Sequence, residues 1–265
     1  MITSVTNYGA GVARQHVLNC TLCDYIMFVD ADDILMPRAV EVLYTQAKKE
    51  NYDILQASFI RELKDSDDIM MASTDNVLTW FHGKIYKVEY LKKKGISFLS
   101  NLRIDEDSYF NAVAWNSTDN KGLIGEVLYL WRDNKNSITR SLPDKEYFIK
   151  NHNSYIYSQV QALIKLHEIN KTVSQTFITN TLINIYYFYM RARFYKCNEE
   201  EMDNIISVLK KEEWMQLWLD DGENWVDVIQ NIKPGQVYDG EYVIFYKETF
   251  NLWAARLLRA DVKGE

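Results

Sequence analysis

The run Asp24-Tyr25-Ile26-Met27-Phe28-Val29 passes directly into Asp30-Ala31-Asp32-Asp33, and this junction constrains the fold more than any other stretch. A short, continuous apolar run suits a parallel strand buried on both faces, and the acids that follow must turn out of the core. A helix comes next. Pro37 stands near its start, where proline is tolerated, and Ala39, Val40, Leu43, Tyr44 and Ala47 recur at helical spacing. Lys48 and Lys49 suit its C-terminal end and Asn51 its stop. Asp53–Ile60 reads as a second strand, so the order is strand–helix–strand, the mark of an α/β domain.

Residues 61–78 are polar and read as a loop or hairpin, and a short segment, His82–Tyr90, runs into the basic turn Lys92-Lys93-Lys94-Gly95. Asp105, Glu106 and Asp107 precede a helical pattern in Tyr109, Phe110, Val113 and Ala114, and Leu123–Trp131 reads as another strand. From about Pro143 helical periodicities dominate, at roughly Lys145–Glu168, Val173–Tyr195 and Glu199–Glu212, with a last one near Tyr242–Arg259. Ile183, Ile185, Tyr186, Tyr187, Phe188 and Met190 make one of these apolar on most of its circumference, as in a buried or interfacial helix. The expected division is an α/β part over residues 1–141 and a helical part over residues 142–265.

The net charge of -7 argues against a general nucleic-acid binder, whose affinity comes from Lys and Arg on phosphates. No run of about 18 apolar residues and no signal-peptide pattern occurs, so a cytoplasmic protein is expected, at most peripheral to a membrane. Three cysteines give no disulfide framework. Cys20 and Cys23 form one C-x-x-C just before the first strand and are expected as buried small hydrophobes in a reducing compartment.

In open parallel sheets ligands bind beyond the carboxyl ends of the strands, which is where Asp30, Asp32 and Asp33 lie. Two carboxylates at i and i+2 on a turn can share a hard divalent cation, Mg²⁺ or Mn²⁺, and bridge it to a diphosphate. A solvated turn with a helix cap at Asp33 is the competing reading. Glu106-Asp107 likewise admits two readings: acids complementing a helix N-terminus, or a general base that takes a proton from an acceptor hydroxyl. His82, beside Gly83, reads as a packed or exposed histidine before it reads as a ligand or an acceptor contact, and Trp80 stands two residues before it.

Five blocks stand in order: Asn7-x-Gly9-x-Gly11-Val12-Ala13-Arg14, DYIMFVDADDILMP, HGKIYKVEYLKKKGISF, NLRIDEDSYFN and LYLWRDNKNSITRS. Together they resemble the GT-A-type, family 2 glycosyltransferases. The resemblance implies a partial GT-A, Rossmann-like mixed sheet with flanking helices, followed by an α-helical region. It implies transfer of a sugar from a nucleotide-sugar, foremost a UDP-sugar, to a glycan, lipid-linked or other hydroxyl acceptor, with inversion. Asp30 and Asp32 would hold the metal, Asp107 would be the base with Glu106 assisting, and Arg14, Lys84, Arg132, Ser137 and Thr139 would lie toward the donor. Gln15 stands where the family has Asn, and no Q-x-x-R-W occurs, which argues against a processive synthase. The family's opening V-S-I-I-I-P-x-Y-N-like strand and D-G-S turn do not occur either. A sheet without them would expose an edge, to be covered by a partner polypeptide, by self-association or by another part of the chain. The alternative to an enzyme is a non-catalytic binding or structural subunit derived from one.

Overall fold

Apolar residues on both sides of a strand require neighbours on both sides, and Ile54–Glu62 (β3) meets that demand: its first six residues are buried. The computed structural model describes residues 8–62, 70–73, 80–132, 134, 137, 144–170, 172–221, 235–236, 242–243 and 247–260. Before β3 come the helix Ala10–Cys20 (α1), the strands Tyr25–Met27 (β1) and Ile34–Leu35 (β2) and the helix Ala39–Glu50 (α2). After it come the strands Met70–Ser73 (β4) and Lys84–Lys87 (β5), the helices Val88–Lys93 (α3) and Glu106–Asn116 (α4), and the strand Lys121–Trp131 (β6). These belong to the first of two compact units, Met1–Ser141 and Leu142–Glu265.

The sheet of the first unit runs β1-β5-β3-β6-β2, with β4 pairing the far end of β3. β3 and β6 are parallel, in the register Ile54↔Lys121 through Arg61↔Trp131, interrupted by irregularities around Ser58. β5 pairs antiparallel with both β1 and β3, so it separates the two strands of the strand–helix–strand unit. The sheet is therefore mixed, with β1, β3 and β6 pointing the same way and their carboxyl ends at one rim. α2 covers one face through Ala39, Leu43 and Ala47, packed on Leu55, Ala57, Ile85 and Leu128. An aromatic cluster builds the core toward α4: Phe28 lies 4.9 Å from Phe81, and Phe98 stacks on Phe110 at 4.3 Å. The sheet edges are short, three residues in β1 and two in β2.

The second unit contains helices Asp144–Ile169 (α5), Gln175–Phe194 (α6), Glu199–Ser207 (α7), Glu213–Asp220 (α8) and Lys247–Leu258 (α9), with a 3-10 turn at Val208–Lys211 and the strand pair Gly235–Gln236 (β7) and Tyr242–Val243 (β8). Its core joins Ile156, Val160 and Leu163 of α5 to Leu182, Tyr186 and Tyr189 of α6, Trp218 of α8 and Trp253 of α9. No helix among the described residues is long and apolar enough to cross a membrane.

Three expectations are corrected here. β1, expected as a parallel strand buried on both faces, is a half-buried edge strand paired antiparallel with β5. Cys20 and Cys23 are exposed, not buried. Cys20 ends α1 and Cys23 lies in the bend before β1, so both precede the apolar run, which enters the sheet only at Tyr25. The 3-10 turn also divides the expected helix Glu199–Glu212, and α8 follows it as a separate element around buried Met215 and Trp218.

Candidate active site

The acidic stretch leaves β1 and closes at once into a turn, with the Asp33 N–H donating to the Asp30 carbonyl at 3.1 Å. The turn is held from outside by β6 and the residues after it. Asp33, whose side chain is only 1% exposed, accepts from the Tyr129 hydroxyl at 2.5 Å and from the Arg132 backbone N–H at 3.0 Å. Burial raises its carboxyl above the ordinary carboxylate range, opposed by those two hydrogen bonds. Asp32 accepts from the Asn134 amide at 2.8 Å. Asp33 is thus a structural bolt rather than a helix cap.

His82 lies 3.8 Å from Asp33 and stacks on Tyr129 at 4.9 Å, with Trp131 4.8 Å away. Ligand atoms of Asp30, Asp33 and His82 fall within 4.8 Å of one another. Asp33 nevertheless spends an oxygen on each of Tyr129 and Arg132, and His82 is enclosed by rings, so this trio reads as packing. Asp30 and Asp32, the pair expected from the sequence, are carboxylates on one turn, the ligand type a hard divalent cation takes. Asp30 is bound through Oδ1 and Asp32 through Oδ2, which leaves an oxygen of each outside those bonds.

Arg14 joins this turn to the second acidic motif. One guanidinium nitrogen donates to Asp30 at 2.6 Å and another to Glu106 at 2.5 Å, while the guanidinium lies over the Phe81 ring at 4.9 Å. The arginine reaches both because α1 crosses α4 closely at Gly11, where a Cβ would stand 3.2 Å from Glu106 Cγ. Glu106 and Asp107 open α4, after Asp105 in the left-handed region at φ 60°. Burial, with the charges of Glu106 and Asp105 added, pushes the Asp107 carboxyl up to about 7. A carboxylate in that range is matched to proton transfer at neutral pH.

Lys84 begins β5 and is 1% exposed, its ammonium donating to the Trp80 carbonyl. Burial lowers it to about 7, against the pull of the Asp107 carboxylate. Arg132 is half-exposed and lies 3.7 Å from Glu62, and the Ser137 N–H donates to the Asn134 carbonyl at 3.0 Å. Thr139 lies outside the described residues. The structure thus brings Arg14, Asp30, Glu106 and Asp107 together, and places Asp32, Arg132 and Ser137 along the β6 side. Sequence reasoning missed Asn134 and the roles of Asp33 and Tyr129; the signal available was a polar residue directly after a strand, among several that look alike.

Residues 1–103 match the model of the family described as "Glycosyl transferase family 2". The chain is 26% identical over 153 residues to the "Uncharacterized glycosyltransferase EpsJ" of Bacillus subtilis (strain 168), covering 50% of this chain and 44% of that protein. It is 25% identical over 124 residues to the "Poly(ribitol-phosphate) beta-glucosyltransferase" of Bacillus spizizenii, covering 42% of this chain and 19% of that one. The crystal structure of S. aureus TarS superposes with a TM-score of 0.51 at 14% identity, over 85% of this chain and 39% of TarS. The chain therefore spans less than half the length of these relatives. The TarS likeness shows the fold, a GT-A-like mixed sheet with flanking helices, and the family resemblance lies in the first unit.

Proposed function

We propose that this chain moves a sugar from a nucleotide-diphosphate-sugar, foremost a UDP-sugar, to a hydroxyl group of a glycan or lipid-linked acceptor, with inversion at the anomeric carbon. The observation that carries this reading is the bridge made by Arg14 between Asp30 and Glu106, 2.6 and 2.5 Å long. It holds the acidic turn after β1 beside Glu106, the neighbour of Asp107, an arrangement that a sugar transfer using both motifs would need. The family match over residues 1–103 and the glycosyltransferase names of the relatives support it.

In this reading Asp30 and Asp32 would hold Mn²⁺ or Mg²⁺, which would offset charge on the departing nucleoside diphosphate. Arg132 and Ser137 line the diphosphate side. Asp107 takes the proton of the acceptor hydroxyl as that oxygen forms a bond to the anomeric carbon. The bond from that carbon to the diphosphate oxygen breaks, and its electron pair leaves with the diphosphate. Glu106, fixed by Arg14, keeps the base in place. The reaction is assigned to the cytoplasm, free or at the membrane surface.

Calorimetric titration of UDP and UDP-sugars in the presence and absence of Mn²⁺ tests the donor half. Metal-dependent binding is expected, weakened by about tenfold or more in Asp32→Ala, as for loss of a charged ligand worth roughly 1.4 kcal/mol or more. Absence of nucleotide binding by the wild-type chain, with or without metal, overturns the reading.

A further inference from the structure

Arg14 stands near the middle of α1, one turn after Gly11 and on the same side of the helix, where the close approach to α4 brings it to the acids. Its two terminal nitrogens serve different carboxylates: one donates to Glu106 Oε1 at 2.5 Å, the other to Asp30 Oδ1 at 2.6 Å. The two ends are not alike. The Glu106 side chain is 11% exposed, whereas the Asp30 side chain is 46% exposed. An ion pair open to water is weak and exchangeable, while parting a buried one strands a charge. Asp30, Asp32 and Asp33 place three acids within four residues, and like charges so close are eased by a nearby cation. We propose that Arg14 is the resident counter-ion of this turn: it holds Asp30 until a divalent cation takes its place, keeps Glu106, and so sets how tightly that cation binds.

This role rests on the reading of Asp30 and Asp32 as the metal pair and deepens it. An arginine in this place can act in two ways that differ in sign. As a brace, it supports the carboxylates, and its removal weakens metal binding. As a resident cation, it competes: it occupies Asp30 Oδ1, and its charge repels a second cation brought to the same turn. The geometry favours competition. The turn is braced without Arg14, by Tyr129 and the Arg132 N–H on Asp33, by Asn134 on Asp32, and by its own bond from the Asp33 N–H to the Asp30 carbonyl. The guanidinium in turn has two holds besides Asp30, the Glu106 carboxylate and the Phe81 ring. Release of Asp30 therefore undoes neither the turn nor the seat of the arginine. It leaves Arg14 wholly with Glu106, the acid next to Asp107, so that the state of the metal turn is passed to the neighbour of the base.

Calorimetric titration of Mn²⁺ alone, without nucleotide, tests this. Arg14→Met keeps an apolar stem against Phe81 and removes the charge, and it is expected to bind Mn²⁺ about tenfold tighter than the wild type, within the usual range for coupled sites. Arg14→Lys keeps a charge and is expected to stay close to the wild-type affinity. In an Asp30→Asn background the gain from Arg14→Met should vanish, because it acts through Asp30. Side-chain NMR of ¹⁵N-labelled arginine gives a second readout on the unaltered chain: saturating Mg²⁺ should shift the Arg14 guanidinium signals. Equal or weaker Mn²⁺ binding by Arg14→Met overturns the proposal, as do Arg14 signals indifferent to Mg²⁺, and the NMR arm decides alone if Arg14→Met does not fold. Mn²⁺ binding by neither the wild type nor Arg14→Met overturns it together with the metal half of the transferase reading. Failure to bind UDP leaves the Mn²⁺ comparison standing, so the two failures are told apart.

Discussion

Asp107 holds its carboxyl where ionisation works against the fold, and this has a measurable sign. Its folded value is about 7 against 3.8 for the ordinary group, with burial the main cause. Below 3.8 both the folded and the unfolded chain carry the proton. Between 3.8 and about 7 the unfolded chain releases it first, so this residue's contribution to stability falls across that window and stays low above it. Asparagine imitates the protonated carboxyl. Asp107→Asn is therefore expected to raise stability at pH 8 by about 2 kcal/mol and to change it little at pH 4. Thermal unfolding of the two proteins at both pH values checks this. Had Asp107 a purely structural role as a helix-start acid, the substitution would destabilise at pH 8 instead. The acids themselves were legible in the sequence as Asp30, Asp32, Glu106 and Asp107 at strand and helix ends. Their partners were not: Arg14 and Glu106 are 92 positions apart, and no local pattern sets that pairing.

Among the elements, two glycines decide how closely segments approach. Gly83 combines φ 65° with a site where a Cβ would meet the Ala57 carbonyl oxygen at 2.9 Å, and the Ala57 N–H is itself bonded to the Gly83 carbonyl at 2.8 Å. Neither backbone can move without losing that bond. Gly83→Ala is expected to destabilise the chain by about 2–3 kcal/mol, strain and clash together, as read by urea denaturation. Gly11→Ala meets only the stem of Glu106, at 3.2 Å, so its expected cost is smaller, on the order of 1 kcal/mol. Comparing the two denaturation midpoints checks the ranking. Periodicity showed β3, β6, α2 and α4 within a few residues, because each is long and carries its pattern inside itself. β5 escaped it: the strand is four residues long, and its place between β1 and β3 depends on antiparallel pairing with both. α1 escaped for another reason, since only Gly11 and Leu18 are buried along its eleven residues and no apolar stripe marks it.

For the molecule as a whole, the two compact units differ in what fills the interior. The first unit packs aromatic rings and short aliphatic side chains about a sheet, the second packs helices on one another. The second unit has its own core, with Ile156, Val160, Leu182, Ile206 and Phe250 fully buried. Residues 142–265 expressed alone are expected to be helical and to melt cooperatively, as a unit with a self-sufficient core does. Circular dichroism with thermal denaturation checks this; a featureless melt would show that the core is incomplete without residues 1–141. The chemistry has the opposite dependence. The acidic turn is bolted by Tyr129, Arg132 and Asn134, at sequence separations of 96, 99 and 102 residues. Contacts so distant along the chain require the long loop between them to close first. A partly folded chain can present every acid of the site and still have none of them in place until β6 docks. The bolt thereby ties assembly of the acidic site to completion of the sheet.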